Sequence, residues 1–402
     1  MIKSISSPVC NNCVSLNGTN GRWRKSLPMT PSISFPKSSI TKIFASAMSG
    51  NVFKWANSED SDCLLSTHSP MLTPNFVLPV ERRPNLAEVL RDKVPIIDLG
   101  KNDTNGLVEE IAKACEEYGL FLIVNHGVPL ELCENMLSAV TDLFYQPPQI
   151  KALLVSDDPD KDVRICNHYR KVEEKGDQKS KRFSMWSEVF KHSWHPSDDS
   201  FADLLPSNPP NYRRVVTAYA REIGILMSQL LSLMSQGLGL KGDVLQHRLG
   251  KNPLFRVQAN YYPPCSNPNL TLGLGVHTDR DALTVLLPTS NVEGLQIMKD
   301  DKWIVVDPIP NALVVNIGDQ LQVLSNGRYK SVLHRVVTNE HQSRVSIAMF
   351  YGPDKDAYIG PVEDLINNPH PQLYRNYFFR EFLEVYRNQE GKNRKIKEYF
   401  EI

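Results

Sequence analysis

Leu254-Phe255-Arg256-Val257-Gln258-Ala259-Asn260-Tyr261-Tyr262 opens the stretch that decides the fold. From here the chain advances in short β-type runs at 254–262, 282–287, 294–298, 303–306, 312–317, 332–338 and 344–351. Gly, Pro, Asn and Asp separate them, and no helical period intervenes. Many short strands in succession predict a sandwich or a barrel. Upstream the grammar is mixed. Residues 94–99 read as a short buried strand, and Asp103 or Thr104 can cap a helix whose Leu107, Val108, Ile111, Ala112 and Cys115 keep a 3.6-residue period. Leu120 to Val124 is a continuous apolar strand that ends in the turn Asn125-His126-Gly127. A second amphipathic stretch runs from Leu130 to Phe144 and stops at Pro147-Pro148. Residues 156–210, rich in charge, Pro and Ser, read as long surface loops. Tyr212 to Leu238 is a long helix with Ile223, Leu226, Leu230, Leu231 and Met234 on one stripe, which is core packing. The aromatic-rich stretch from Tyr374 to Phe400 reads as helical. The expected class is mostly β with flanking helices.

Composition narrows the function classes. The chain has 402 residues, enough for a large core, and its 45 Lys+Arg balance 45 Asp+Glu. Zero net charge gives no reason to expect nucleic acid or an anionic membrane as partner. No apolar run approaches the roughly 20 residues of a membrane helix. Seven cysteines, odd in number and irregularly spaced, argue against a disulfide framework and suit a reducing compartment. Cys10 and Cys13 form a CxxC, but it sits in a polar leader without a strand–helix context.

That leader, residues 1–58, is Ser-rich, basic and free of acidic residues. Its composition is that of an organelle transit peptide, which would place the protein in a plastid. A disordered extension, or translation beginning at Met48, reads equally well and leaves the protein in the cytoplasm. The expected organisation is a leader over 1–58, an extended lead-in over 59–93, a helical region over 94–245, a β core over 246–360 and a helical tail over 361–402.

The chemistry lies in the β core. On a strand, residues i and i+2 share a face, so His277 and Asp279 can reach one point while Thr278 turns away. A second strand carrying His334 could supply a third ligand. Two imidazoles and one carboxylate on one side of a metal form the facial triad of non-haem Fe(II) oxygenases. His-x-Asp with a distant His also occurs as ordinary core or surface histidine. Ten residues beyond His334, Arg344 and Ser346 share a face of the next strand. A guanidinium grips a carboxylate through two charge-assisted hydrogen bonds, and a hydroxyl can add a third. Arg344 reads either as such a clamp or as half of a structural ion pair.

Over about residues 75–395 these segments resemble the plant 2-oxoglutarate- and Fe(II)-dependent dioxygenases. The resemblance rests on His277-Thr278-Asp279, His334, Arg344-Val345-Ser346, Asn260-Tyr261-Tyr262-Pro263-Pro264-Cys265, Val94-Pro95-Ile96-Ile97-Asp98-Leu99, Phe121-Leu122-Ile123-Val124-Asn125-His126-Gly127 and Asn316-Ile317-Gly318-Asp319-Gln320. Within the family, Ser156-Asp157-Asp158-Pro159, Pro206-Ser207-Asn208-Pro209-Pro210 and Ser325-Asn326-Gly327-Arg328-Tyr329-Lys330-Ser331 are similar to the salicylate hydroxylases (downy-mildew-resistance oxygenases) and hyoscyamine hydroxylase. The chain departs from them in its leader and in the charged stretch around Glu173-Glu174-Lys175-Gly176, a region that tends to border the substrate.

The resemblance implies a double-stranded β-helix (jelly-roll) core with Fe(II) held by His277, Asp279 and His334. It implies 2-oxoglutarate bound by Arg344, Ser346 and Tyr262 with Asn260 close by, ascorbate as a supporting reductant, and a monomer. The expected reaction is oxidation by O2 of a small plant specialised metabolite or a phenolic or hormone-like substrate. Hydroxylation is the first expectation; desaturation, epoxidation and demethylation would use the same residues. Alternation puts Phe350 on the face of Arg344, either toward substrate or as core packing. Arg164, Asn167 and Tyr169 lie in the region that borders the substrate in relatives. Tyr377, Phe378, Phe382 and Tyr386 of the tail either fold over the mouth of the site or dock on the core.

Other attractive residues read as scaffold. His126 matches a family motif and is expected to be hydrogen-bonded, and Gly273-Leu274-Gly275 is expected to be a tight turn. Lys392, Arg394, Lys395 and Lys397 are expected on a solvated face. The competing classes are a zinc hydrolase using the same three ligands, which leaves Arg344 unexplained, and a non-catalytic jelly-roll binding module.

Overall fold

The computed structural model describes residues 72–173, 180–289, 291–389 and 396–402. The leader with Cys10 and Cys13, the core of the charged insertion and the basic residues 392–395 lie outside the described residues.

Two sheets face one another. The strands, in chain order, are β1 (Ile96–Asp98), β2 (Leu120–Val124), β3 (Arg164–Cys166), β4 (Tyr169–Glu173), β5 (Ser180–Ser184), β6 (Glu188–Ser193), β7 (Leu254–Tyr262), β8 (Leu274–His277), β9 (Leu283–Pro288), β10 (Leu295–Lys299), β11 (Lys302–Val305), β12 (Leu313–Ile317), β13 (His334–Val336), β14 (Arg344–Gly352), β15 (Tyr358–Ile359) and β16 (Tyr377–Phe378). The large sheet has the order β1-β2-β12-β9-β14-β7-β6-β3, and the small one β11-β10-β13-β8. Apart from the parallel β1–β2 pair, the ladders of both sheets are antiparallel. Short antiparallel strands in two facing sheets with helices outside are the jelly-roll architecture expected from the sequence.

Alternation along the central strand β14 explains the layering. Val345, Ile347, Met349 and Tyr351 join the main core under the helices, whereas Ala348 and Phe350 join the apolar layer between the sheets. Because the side-chain period of a strand is two, Arg344 and Ser346 fall on this second, inter-sheet face.

The helices cover the outer face of the large sheet. Helix α1 (Thr104–Glu117) starts at Asp103, whose carboxylate accepts from the Gly106 amide at 3.1 Å, a standard N-cap. Helix α2 is Leu130–Phe144, and the short α3 is Pro148–Lys151. The long α4 (Tyr212–Gly237) buries the whole predicted stripe from Ile223 to Met234. Helices α5 (Val244–Arg248), α6 (Asp319–Leu324) and α7 (Phe379–Asn388) complete the set used below. The four cysteines at 115, 133, 166 and 265 are buried and free.

Several sequence expectations are corrected. Residues 156–210 are not mainly surface loop: β6 is paired with β7 inside the large sheet. Its polar residues concealed it. Glu188 is buried in an ion pair with Lys151 at 2.7 Å, and His192 is buried against the Tyr212 hydroxyl at 2.7 Å, so a core strand carries the composition of a loop. The segment around Gly273-Leu274-Gly275 is the start of β8 rather than a turn; Val336 pairs with Leu274 across the small sheet. The first strand is confined to β1, at the sheet margin, with Ile96 about half exposed. Among the described residues from Tyr374 to Phe400, α7 and a short 3-10 turn (Ile396–Phe400) are helical, whereas Tyr377 is held in a strand pair with Ile359 and its ring packs 4.1 Å from that of Phe400.

Candidate active site

His277 is the last residue of β8 and pairs directly with His334, the first residue of β13. The two rings stand 4.1 Å apart between centroids. Asp279 lies two residues beyond the end of β8, in a segment without regular structure, and its carboxylate still faces the histidines. Its Oδ1 is 3.8 Å from His277 Nε2 and 3.6 Å from His334 Nε2. Ligand atoms of the three residues all lie within 4.8 Å of one another.

Each imidazole is oriented in the same way. His277 Nδ1 lies 2.8 Å from the Gly275 carbonyl and His334 Nδ1 lies 3.2 Å from the Val332 carbonyl, in both cases two residues earlier. A carbonyl only accepts, so Nδ1 carries the proton and Nε2 presents its lone pair to the shared point. The carboxylate is divided as well. Oδ2 of Asp279 accepts from Thr284 Oγ1 at 2.7 Å and from Asn316 Nδ2 at 3.1 Å, which leaves Oδ1 facing the imidazoles. Two neutral imidazoles and one carboxylate, without thiolate, suit a redox-active iron ion. The donor set fits Fe(II).

Behind the ligands, Thr278 does turn away, donating to Asp319 Oδ2 at 3.2 Å. Asp319 also accepts from Ser331 Oγ at 2.8 Å and sits 3.5 Å from Lys397 Nζ. Burial raises the Asp319 carboxyl pKa, while the Lys397 ammonium acts in the opposite direction. Lys397 therefore reaches inward and is not on the solvated face expected for it.

Along β14, Arg344 is buried, with its guanidinium 5.4 Å from the Tyr262 ring centroid. Tyr262 is opposite Arg344 on β7, and Asn260 is opposite Ser346, to which it donates at 3.4 Å. Burial makes the Arg344 charge costly and lowers its pKa, the Tyr262 hydroxyl opposing this. No carboxylate is ion-paired with it among the described residues, and its Nη1 has no hydrogen-bond partner. A buried, unneutralised guanidinium is the arrangement that an incoming carboxylate satisfies. Of the two readings open in the sequence, the geometry favours the clamp.

The remaining candidates separate. Phe350 is half-buried on the inter-sheet face. Arg164 turns its guanidinium to the carbonyls of Pro159, at 2.8 Å, and Lys161, holding that turn together. Asn167 is buried just past β3, and Tyr169 begins β4, with the Arg182 guanidinium 4.1 Å over its ring. His126 is scaffold as expected: its Nε2 is 3.2 Å from the Asn311 carbonyl and its Nδ1 accepts from the Val128 amide at 3.2 Å. Sequence reasoning missed Thr284 and Asn316 as partners of Asp279. Asn316 stood inside a family motif, but only the strand register shows its target.

Comparison with known proteins gives the family. Residues 255–353 match the family model of the 2OG-Fe(II) oxygenase superfamily, and residues 94–212 match the model described as non-haem dioxygenase in morphine synthesis N-terminal. The protein DMR6-LIKE OXYGENASE 1 of Arabidopsis thaliana is 40% identical over 337 residues, covering 82% of this chain and 92% of that one. Hyoscyamine 6-dioxygenase of Hyoscyamus niger is 35% identical over 319 residues, covering 78% and 91%. Among solved structures, JOX2 in complex with 2OG, Fe and JA is similar with a TM-score of 0.71 and 34% identity, covering 87% of this chain and 97% of that one.

Proposed function

The chain belongs to the 2OG-Fe(II) oxygenase superfamily, and from this premise we propose that it hydroxylates a small plant metabolite of phenolic or hormone-like type. It is an oxidoreductase that uses Fe(II), 2-oxoglutarate and O2 on a small molecule. In this reading His277 Nε2, Asp279 Oδ1 and His334 Nε2 hold the iron. Arg344, Ser346 and Tyr262 hold the far carboxylate of 2-oxoglutarate, with Asn260 supporting Ser346. Bound Fe(II) and 2-oxoglutarate supply the activation of O2 and the oxidation of a substrate C–H bond, with release of succinate and CO2.

The protein's own contribution is position. Gly275 and Val332 fix the imidazole tautomers, Thr284 and Asn316 fix the carboxylate, and the Arg344 guanidinium sets the cosubstrate's far end. The single observation that carries the reading is the convergence of three ligand atoms on one point, together with a buried guanidinium whose Nη1 has no hydrogen-bond partner. A zinc hydrolase or a silent binding module gives Arg344 no task. The nature of the substrate is supported by relatives: one is named for hyoscyamine and another was solved with JA.

The test is anaerobic addition of Fe(II) and 2-oxoglutarate to purified protein. A weak visible charge-transfer band is expected, absent from a folded His334→Ala variant. A folded wild-type protein that gives no band would refute the assignment. Incubation with a metabolite extract from the protein's own source, following succinate and identifying products by mass, would then name the substrate.

A further inference from the structure

One row of side chains crosses the large sheet beside the ligand carboxylate. Arg256 of β7 pairs with Phe350 of β14, Phe350 with Thr284 of β9, and Thr284 with Asn316 of β12. Thr284 and Asn316 hold Asp279, so Arg256 and Phe350 continue the same row away from it. Arg344 and Ser346 lie further along β14, at the cosubstrate end. Phe350 and Arg256 therefore stand on the part of the inter-sheet face that 2-oxoglutarate leaves to the substrate.

The charges in this corner do not balance. Arg256 donates through Nη2 to Asp281, and its guanidinium is 5.5 Å from the Phe350 ring centroid. Arg280 Nε lies 3.7 Å from Asp281 Oδ1, and the Arg280 guanidinium stacks 4.6 Å from the Tyr386 ring centroid of α7. Two guanidiniums thus share one carboxylate, that of a fully buried Asp281, and the Nε of each has no hydrogen-bond partner. Iron, Asp279, the two carboxylates of 2-oxoglutarate and Arg344 would together sum to zero. Arg256, Arg280 and Asp281 then leave one positive charge in excess. The Arg256 side chain is 34% exposed against 2% for Asp281, so the accessible part of the corner is the cation. The corner is also built: a Cβ at Gly352 would come within 2.7 Å of Asp281 Oδ1, so glycine there leaves room for the carboxylate that aims Arg256.

We propose that Arg256 is a specificity-determining residue that binds a carboxylate of the substrate, with the substrate's ring against Phe350, so that the enzyme selects flat carboxylic acids over their neutral analogues. This rests on the oxygenase reading of the site. Asp281 holds the guanidinium in place, and charge-assisted donation from a partly desolvated guanidinium gives the preference its strength.

The probe pair is 2-naphthoate and 2-naphthamide, which share a ring system and differ in charge. Each is titrated calorimetrically into the anaerobic Fe(II) protein at saturating 2-oxoglutarate, so that the Arg344 site is already filled. The acid is expected to bind about tenfold or more tighter than the amide. That preference is expected to vanish in Arg256→Gln and to persist in Arg256→Lys, both checked for an unchanged melting temperature. Equal affinity of acid and amide in the wild type, no binding of the acid, or a preference that survives in Arg256→Gln would each overturn the proposal. The wild-type ratio alone decides if a variant fails to fold. The charge-transfer band in the same samples reports separately on the oxygenase reading: a normal band with no acid preference sinks the role of Arg256 alone.

Discussion

Asn316 and Thr284 face each other across β12 and β9, and both donate to the same oxygen, Oδ2, of Asp279. Their joint hold is what leaves Oδ1 facing His277 and His334. Removing either donor frees the carboxylate to rotate while the three ligand residues stay in place. Asn316→Ala and Thr284→Val are each expected to weaken Fe(II) binding by about 10–100-fold. Metal titration of variants with an unchanged far-UV spectrum checks this, and wild-type affinity in both would show that Asp279 is oriented by something else.

The Arg344 guanidinium is proposed to meet a carboxylate in a fork, which an ammonium cannot reproduce. Arg344→Lys is therefore expected to raise the KM for 2-oxoglutarate about tenfold or more, with a smaller rise for Ser346→Ala, since a hydrogen bond to a charged group contributes about 1.5–3 kcal/mol. Steady-state kinetics with 2-oxoglutarate as the varied component provides the measurement. An unchanged KM in the Lys variant would remove Arg344 from this role.

His192 gives a pH dependence of stability. Burial lowers its pKa to about 4, against the opposing influence of the Ser193 carbonyl that accepts from Nδ1. Its ordinary value, expected in the unfolded chain, is near 6.5. Between these values the unfolded chain binds the extra proton, so stability is complete above about pH 6.5 and falls as pH drops toward 4, by about 3 kcal/mol in total. His192→Gln is expected to flatten the melting temperature across that window relative to wild type. Parallel wild-type and variant profiles would contradict the assignment.

Lys151 and Glu188 form an ion pair at 2.7 Å with side chains 2% and 0% exposed. Removing the ammonium leaves a carboxylate buried without its counter-charge. Lys151→Met is expected to destabilise the fold by about 3–5 kcal/mol, whereas Lys151→Met with Glu188→Leu should recover most of that loss. Chemical denaturation of the three proteins measures the cycle. A double variant as unstable as the single one would show that Glu188 holds the strand by other bonds.

Much of the molecule is legible from residue order. The β runs between Leu254 and Gly352, the helices at 104–117, 130–144 and 212–237, and the grouping of His277, Asp279 and His334 follow from periodicity, caps and a motif. All of these are relations between residues near in sequence or between strands whose faces alternate by rule. Strand β6 was not legible, because Glu188 and His192 are polar residues made compatible with the core only by Lys151 and Tyr212, partners brought by other elements. That β8 ends at His277, two residues short of Asp279, was not legible either, since alternation puts both residues on one side whether or not the strand continues.

What sequence by itself determined is therefore the fold class and the chemical identity of the ligands. Tertiary structure alone decided which oxygen of Asp279 is left for the metal, which tautomer each histidine holds, and that no acidic side chain among the described residues is ion-paired with Arg344. It also decided that Arg256 and Arg280 converge on one aspartate. These are matters of register and of charge balance in a low-dielectric interior, and both are set by what lies opposite in space, which no local spacing encodes.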